Sequence, residues 1–193
     1  MEIFYKNLKF AIPSNVYYPA EDSFMLADAA YPAGKVLEVG CGCGIASICW
    51  AKDNQVLGVD INPDAVKISK ENAKGNSGRA EFMESDLFSN VSGKFDAILF
   101  NPPYLPTNEE DRVKGDLNRA FDGGPDGRAV LGRFLQEFER YLAPSGRLFL
   151  VQSSLNGAEE TISFLKNKGF MVEVVDRQEF FFEKLFLIRA SKP

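Results

Sequence analysis

From Lys35 onward, short apolar runs alternate with longer helical patterns, and this alternation restricts the fold more than any other feature. KVLEVG at Lys35–Gly40 reads as a buried strand, followed by a Gly-rich turn and an apolar helix to about Lys52. QVLGVD at Gln55–Asp60 reads as a second strand. Asn62-Pro63 then opens a helix to about Asn76, with proline in the first turn where its missing N–H costs nothing. Short strands are expected at Glu81–Glu84 and Phe95–Phe100, then a helix over Gly127–Leu142 stopped by Pro144-Ser145-Gly146, then a strand at Arg147–Gln152. A helix over Gly157–Lys168, capped by Gly169, precedes two last strands at Phe170–Val175 and Lys184–Arg189. Strand–helix units of this length predict an α/β fold with a seven-stranded, mostly parallel sheet and helices on both faces. Asp176–Glu183 is too short for a crossover helix, so the last strand should run antiparallel. At 193 residues the chain fits one domain, 1–193.

Ligands bind such sheets at the carboxyl ends of the strands, and the informative residues lie there. Glu38-Val-Gly40-Cys-Gly42-Cys-Gly44 follows the first strand, with glycines that let the backbone turn sharply and approach a ligand closely. A dinucleotide fingerprint needs Gly where Ile45 stands, and no P-loop run occurs. Glu38 sits badly beside a pyrophosphate and suits a cationic amino-acid head instead. Asp60 ends the second strand, placed to accept from both hydroxyls of a ribose, with Ile61 beside it. After the third strand, Asp86 is placed to accept from an adenine amino group and Leu87 to pack on the ring. Singly, each acid reads equally well as a helix cap. Acids at three successive strand ends point to a nucleoside bearing an amino acid. The Glu-x-Gly-x-Gly-x-Gly pattern resembles that of class I methyltransferases, a Rossmann-like fold, in which this turn approaches the methionine part of S-adenosylmethionine.

Asn101-Pro102-Pro103-Tyr104 closes the fourth strand at the same edge. An amide or exocyclic amine nitrogen is a poor nucleophile because its lone pair is delocalised. Two acceptors gripping its two N–H bonds, Asn101 Oδ1 and the Pro102 carbonyl, orient that lone pair, and the prolines hold the turn rigid. Tyr104 is placed to stack on the flat amide. The motif resembles that of the amino-methyltransferases, and Asn101 counts towards both the catalytic and the cofactor-binding residues.

Val16-Tyr-Tyr-Pro-Ala-Glu-Asp-Ser-Phe-Met-Leu-Ala-Asp28 and Ala120-Phe-Asp-Gly-Gly-Pro-Asp-Gly-Arg128 resemble segments of the archaeal and eukaryotic HemK-like release-factor glutamine methyltransferases. The likeness runs from about residue 16 to the C-terminus. It implies a segment, 1–30, folding over the cofactor, with Ser23 a cofactor contact and Glu21 a nearby polar wall. It also implies the single-domain branch of the family, whose substrate is the Gly-Gly-Gln loop of a class I translation release factor. In that branch some members need a small zinc-binding activator protein that pairs with the third strand, here around Arg79–Glu84, with Phe82 and Met83 as candidate contacts or inward-packing residues. The loop 105–126 is then one wall of the substrate groove. Across 107–128 six acids face four bases, which suits a basic peptide better than a phosphate backbone.

Rival readings keep the catalytic turn and change the acceptor: N6-adenine or N2-guanine in nucleic acid, or protein lysine. A net charge of −5, a pI near 4.9 and no Lys/Arg-rich run give little attraction to phosphates, so no direct nucleic acid binding is expected. Lysine needs deprotonation and no amide-gripping Asn. A third rival is an idle cofactor-binding subunit, which the intact catalytic turn argues against. Cys41, Cys43 and Cys49 with no histidine fall short of a structural zinc set, so no metal is expected. No apolar run approaches a membrane span and no signal peptide is visible, leaving the cytoplasm as the default location.

Overall fold

The computed structural model describes residues 1–76, 78–105 and 123–193. Its elements are β1 (Glu2–Tyr5), β2 (Leu8–Ala11), α1 (Glu21–Asp28), β3 (Lys35–Val39), α2 (Ile45–Trp50), β4 (Gln55–Asp60) and α3 (Pro63–Gly75). They continue with β5 (Glu81–Glu84), β6 (Phe95–Phe100), α4 (Ala129–Glu137), β7 (Leu142–Ser153), α5 (Ala158–Asn167), β8 (Met171–Glu179) and β9 (Lys184–Ser191). Seven strands among the described residues form one sheet in the order β5-β4-β3-β6-β7-β9-β8. β5, β4, β3, β6 and β7 run parallel, and β9 lies antiparallel between β7 and β8. The expected sheet, including its antiparallel last strand, is the observed one. None of the described helices is long and apolar enough to cross a membrane.

Alternation along the strands explains the layering, because successive side chains leave opposite faces. Leu37, Ile98, Phe100, Leu148, Leu150 and Ile188 pack on one face with Leu131, Phe134 and Leu135 of α4 and Leu165 of α5. Val36, Ala97, Leu99, Phe149 and Val151 pack on the other with Met25 and Leu26 of α1 and Ala46 and Trp50 of α2. Trp50, wholly buried, also donates its indole N–H to the Leu26 carbonyl at 2.8 Å, joining α1 to α2.

Several boundaries differ from the expected ones. β7 begins at Leu142, the expected end of the helix, and runs through Pro144-Ser145-Gly146, the expected stop signal; a register shift opposite Phe95–Ala97 absorbs the extra residues. β8 runs on to Glu179 through a bulge between Val174 and Asp176, so the turn into β9 is only Phe180–Glu183. α2 stops at Trp50, and the long helix expected to reach Leu142 ends as a 3₁₀ turn over Phe138–Arg140. Most of the loop 105–126 lies outside the described residues.

The N-terminal hairpin was not anticipated. Lys6 and Asn7 both have positive φ, 47° and 64°, the primed turn that twists with its strands. Asn72 of α3 and Asn76, its C-cap, then bind β2 as a neighbouring strand would. Asn72 accepts from Ala11 N–H at 2.9 Å and donates to its carbonyl, and Asn76 does the same with Lys9. Asn72 also donates to the Cys43 carbonyl at 2.9 Å, which ties hairpin and helix to the Gly-rich turn.

β5 is the sheet edge expected for a partner, but Phe82 does not face outward from it. Its ring is 5% exposed and lies against Gly58 of β4, where an added Cβ would come within 2.6 Å of it. Met83 packs partly buried against the core on the opposite face.

Candidate active site

The chain passes from β3 outward through β4 to β5, then crosses back to place β6 on the other side of β3. The crevice at that reversal is where open α/β sheets hold ligands. A cleft of about 570 Å³ lies there, lined on one side by Val16, Tyr17, Pro19, Asp22, Ser23 and Leu26 of the N-terminal segment.

Every site residue named from the sequence lines this cleft except Gly44: Ser23, Glu38, Gly40, Gly42, Asp60, Ile61, Asp86, Leu87, Asn101, Pro102 and Tyr104. Gly44 instead caps α2 at φ 82°, where an added Cβ would meet Ser69 at 3.0 Å and Phe82 at 3.2 Å. It serves packing behind the turn. Gly42 carries the cradle: its φ is 54°, and an added Cβ would meet no protein atom within 4 Å. Its N–H donates to Asp60 Oδ2 at 2.9 Å, and Asn62 N–H donates to Oδ1 at 2.9 Å. Burial raises the Asp60 carboxyl above the ordinary range, while these N–H groups oppose the shift.

Glu38 is 4% exposed and accepts from both the backbone N–H and the hydroxyl of Ser47 in α2. Burial pushes its carboxyl up to about 8, with Ser47 pulling the other way and Asp60 adding to the rise. A carboxyl raised on folding stabilises fully below its ordinary value near 4.5, and that stabilisation is lost as pH rises through about 8. Glu38→Gln should therefore flatten part of the fall in melting temperature between these limits. An unchanged slope in thermal melts at constant ionic strength would refute that.

Asp86 accepts from Arg133 of α4 at 2.8 Å across the cleft mouth, and Leu87 is held at φ 49°, a left-handed conformation unusual for a branched side chain. Cys41 and Cys43 are buried, and burial raises both thiols.

At the other end of the cleft the catalytic turn is wired to a residue that sequence reasoning passed over. Asp22 is 2% exposed. Its Oδ2 accepts from Tyr17 O–H at 2.8 Å, Asn101 Nδ2 at 2.9 Å and Tyr104 O–H at 3.3 Å. Its Oδ1 accepts from the Ser23 N–H at 2.6 Å and the Ser23 hydroxyl at 3.2 Å. Burial, then the Asp22 charge, raises the phenols of Tyr17 and Tyr104. The signal lay in the Pro-Ala-Glu-Asp-Ser segment, but only the fold brings it to Asn101, 79 residues away. Because a carboxylate only accepts, it fixes which way the Asn101 amide points. Among the described residues, Asn101 Oδ1 is left buried, in the cleft, with no hydrogen-bond partner.

Sheet order and cleft position are those of the class I methyltransferase fold. Residues 23–182 match the family model described as methyltransferase small domain. A Methanocaldococcus jannaschii protein named for protein N5-glutamine methylation is 50% identical over 96% of this chain and 96% of its own. Methyltransferase HEMK2 of Mus musculus is 32% identical over 92% and 90%. A Geobacter sulfurreducens release factor glutamine methyltransferase is 29% identical over 84% of this chain and 62% of its own. Among solved structures, the E. cuniculi Mtq2-Trm112 complex, described as methylating the eRF1 termination factor, matches with a TM-score of 0.74 at 24% identity, covering 93% and 99%. The chain belongs to the methyltransferase small domain family and, within it, to the protein N5-glutamine methyltransferases.

Proposed function

We propose that this chain moves a methyl group from S-adenosylmethionine to the side-chain amide nitrogen of the glutamine in the Gly-Gly-Gln loop of a class I translation release factor. The observation that carries the reading is Asn101 Oδ1: a buried acceptor, oriented by Asp22, without a donor of its own. A buried acceptor left unpaired is costly, and an incoming amide N–H satisfies it. With the Pro102 carbonyl as second acceptor, both N–H bonds of the amide are gripped and its lone pair is aimed. Tyr104, held by Asp22, supplies a flat face for the amide plane.

The cradle fits S-adenosylmethionine by its donor set and its space. Asp60 serves the ribose hydroxyls, Asp86 the adenine amino group, Leu87 and Ile61 the ring, and Glu38 and Ser23 the amino-acid end, with Gly40 and Gly42 admitting it closely. Bound there, the sulfonium supplies an activated methyl group, so the protein's contribution is position. The N-terminal segment 1–30 covers that site within a single domain.

A partner protein adding a strand to β5 is part of this reading, since β5 pairs only with β4 among the described residues. With Phe82 turned inward, main-chain hydrogen bonds hold that partner. The E. cuniculi Mtq2-Trm112 complex, whose fold this chain shares, supports the presence of a partner.

The test uses labelled S-adenosylmethionine and a cognate class I release factor, with its Gly-Gly-Gln glutamine intact or changed to alanine. Each is assayed with and without the candidate activator. Label on the intact factor alone is the expected result. No label on it in any tube, despite measurable cofactor binding, refutes the assignment.

A further inference from the structure

Among the described residues, the buried side-chain acceptors without a hydrogen bond are Asn101 Oδ1, Gln152 Oε1 and Glu183 Oε1. Gln152 does not line the cleft, whereas Asn101 and Glu183 both do. The glutamine reading uses Asn101 and leaves Glu183 unexplained.

Glu183 closes the short turn between β8 and β9, and two hydrogen bonds tie its backbone in place. Phe180 N–H donates to the Glu183 carbonyl at 2.7 Å, and Lys184 N–H donates to Ser154 Oγ at 3.0 Å. Its charge reaches the catalytic turn: after burial and the Asp22 charge, it is the next cause raising the Tyr104 phenol. Glu183 therefore faces the acceptor end of the cleft. The charged groups acting on Tyr104 are Asp22, Glu183 and Glu21, all carboxylates, which repel phosphate and favour N–H donors.

The two residues before Glu183 do the opposite of hiding. Phe181 is 91% exposed and Phe182 83%, their rings edge to face with centroids 4.4 Å apart. Rings this exposed add nothing to the core, and aromatic side chains are the ones enriched where proteins bind each other.

We propose that the Phe180–Glu183 turn is the second wall of the acceptor site: Glu183 Oε1 accepts a main-chain N–H of the peptide presenting the target glutamine, and Phe181 and Phe182 cover that peptide. The inference rests on the glutamine reading above. A glycine-rich loop suits the site, since its N–H groups have no neighbouring side chains to block their approach to the buried Oε1 of a half-buried Glu183.

The test compares Glu183→Ala, Glu183→Gln and the double variant Phe181→Ser/Phe182→Ser with the wild type. Initial rates are measured against release-factor concentration at saturating S-adenosylmethionine. Loss of a hydrogen bond to a charged group should raise KM about tenfold or more in Glu183→Ala. kcat should change far less, as befits binding shared by ground and transition states. Glu183→Gln, which keeps a carbonyl acceptor, should fall between. The double phenylalanine variant should raise KM too, with an unchanged melting temperature. Cofactor affinity by calorimetry should be unchanged throughout. Wild-type KM values in both Glu183→Ala and the double variant overturn the proposal and leave the glutamine reading standing. No transfer to the release factor by the wild type overturns both.

Discussion

Replacing Asn101 with alanine is expected to slow methyl transfer about a hundred- to a thousand-fold, the size of effect seen when one preorganised polar group is removed from a reacting centre. If Asn101 Oδ1 grips the acceptor amide, as proposed, rather than the cofactor, S-adenosylmethionine affinity should barely change. The alanine also removes the amide that Asp22 holds at 2.9 Å, but Asp22 keeps its bonds from Tyr17, Tyr104 and Ser23. Single-turnover transfer together with calorimetric cofactor binding separates the two effects. Asn101→Asp should be no better, since it sets two carboxylates face to face in a buried site. Transfer within a few-fold of wild type in Asn101→Ala would remove the amide grip from the mechanism and favour a lysine acceptor.

Asp22 carries the second large effect, and two substitutions divide it. Asp22→Ala removes the carboxylate that accepts from Asn101, Tyr17, Tyr104 and Ser23, a loss of about 3 kcal/mol in stability. Transfer should fall about a hundredfold as the catalytic turn loses its position. Asp22→Asn fills the same space and should cost less stability. If its carbonyl oxygen stays on Ser23, its NH₂ meets the Asn101 NH₂, and the Asn101 amide must turn over to accept. The oxygen then leaves the cleft, and activity drops as far as in Asn101→Ala. Thermal melts beside single-turnover rates check both variants. Wild-type transfer in Asp22→Asn would show that Asn101 is oriented by something else.

Most of the sheet was legible because its signals are local. KVLEVG, QVLGVD and FDAILF are apolar enough to be strands on their own, and Asn62-Pro63 marks a helix start that the side-chain bond from Asn62 to Asp64 N–H realises. The strand-end residues could be read because a parallel sheet gathers its carboxyl ends along one edge. What escaped depends on contacts between distant segments. Lys6-Asn7 lacks the glycine that usually announces a primed turn, and β1 and β2 persist because Asn72 and Asn76 supply a neighbouring edge. Phe82 looks like any edge residue until Gly58 opens the space that takes its ring. Gly44 sits in the right pattern for a ligand contact, but its φ of 82° at the helix cap turns it towards Ser69 and Phe82. Asp22 and Glu183 are ordinary acids in sequence. One becomes a hub and the other lines the cleft only once the first and last parts of the chain meet at β6.

The bond between Asp22 and Asn101 also sets an order of events. α1, which carries Asp22, belongs to the same segment that walls the cleft through Val16, Tyr17, Pro19, Ser23 and Leu26. Any swing of that segment wide enough to admit or release a nucleoside pulls the carboxylate off the amide. On the proposed reading, loading and reaction would be exclusive states, with the site rearmed only as the segment settles back. A slow settling step would then limit turnover ahead of the chemistry itself.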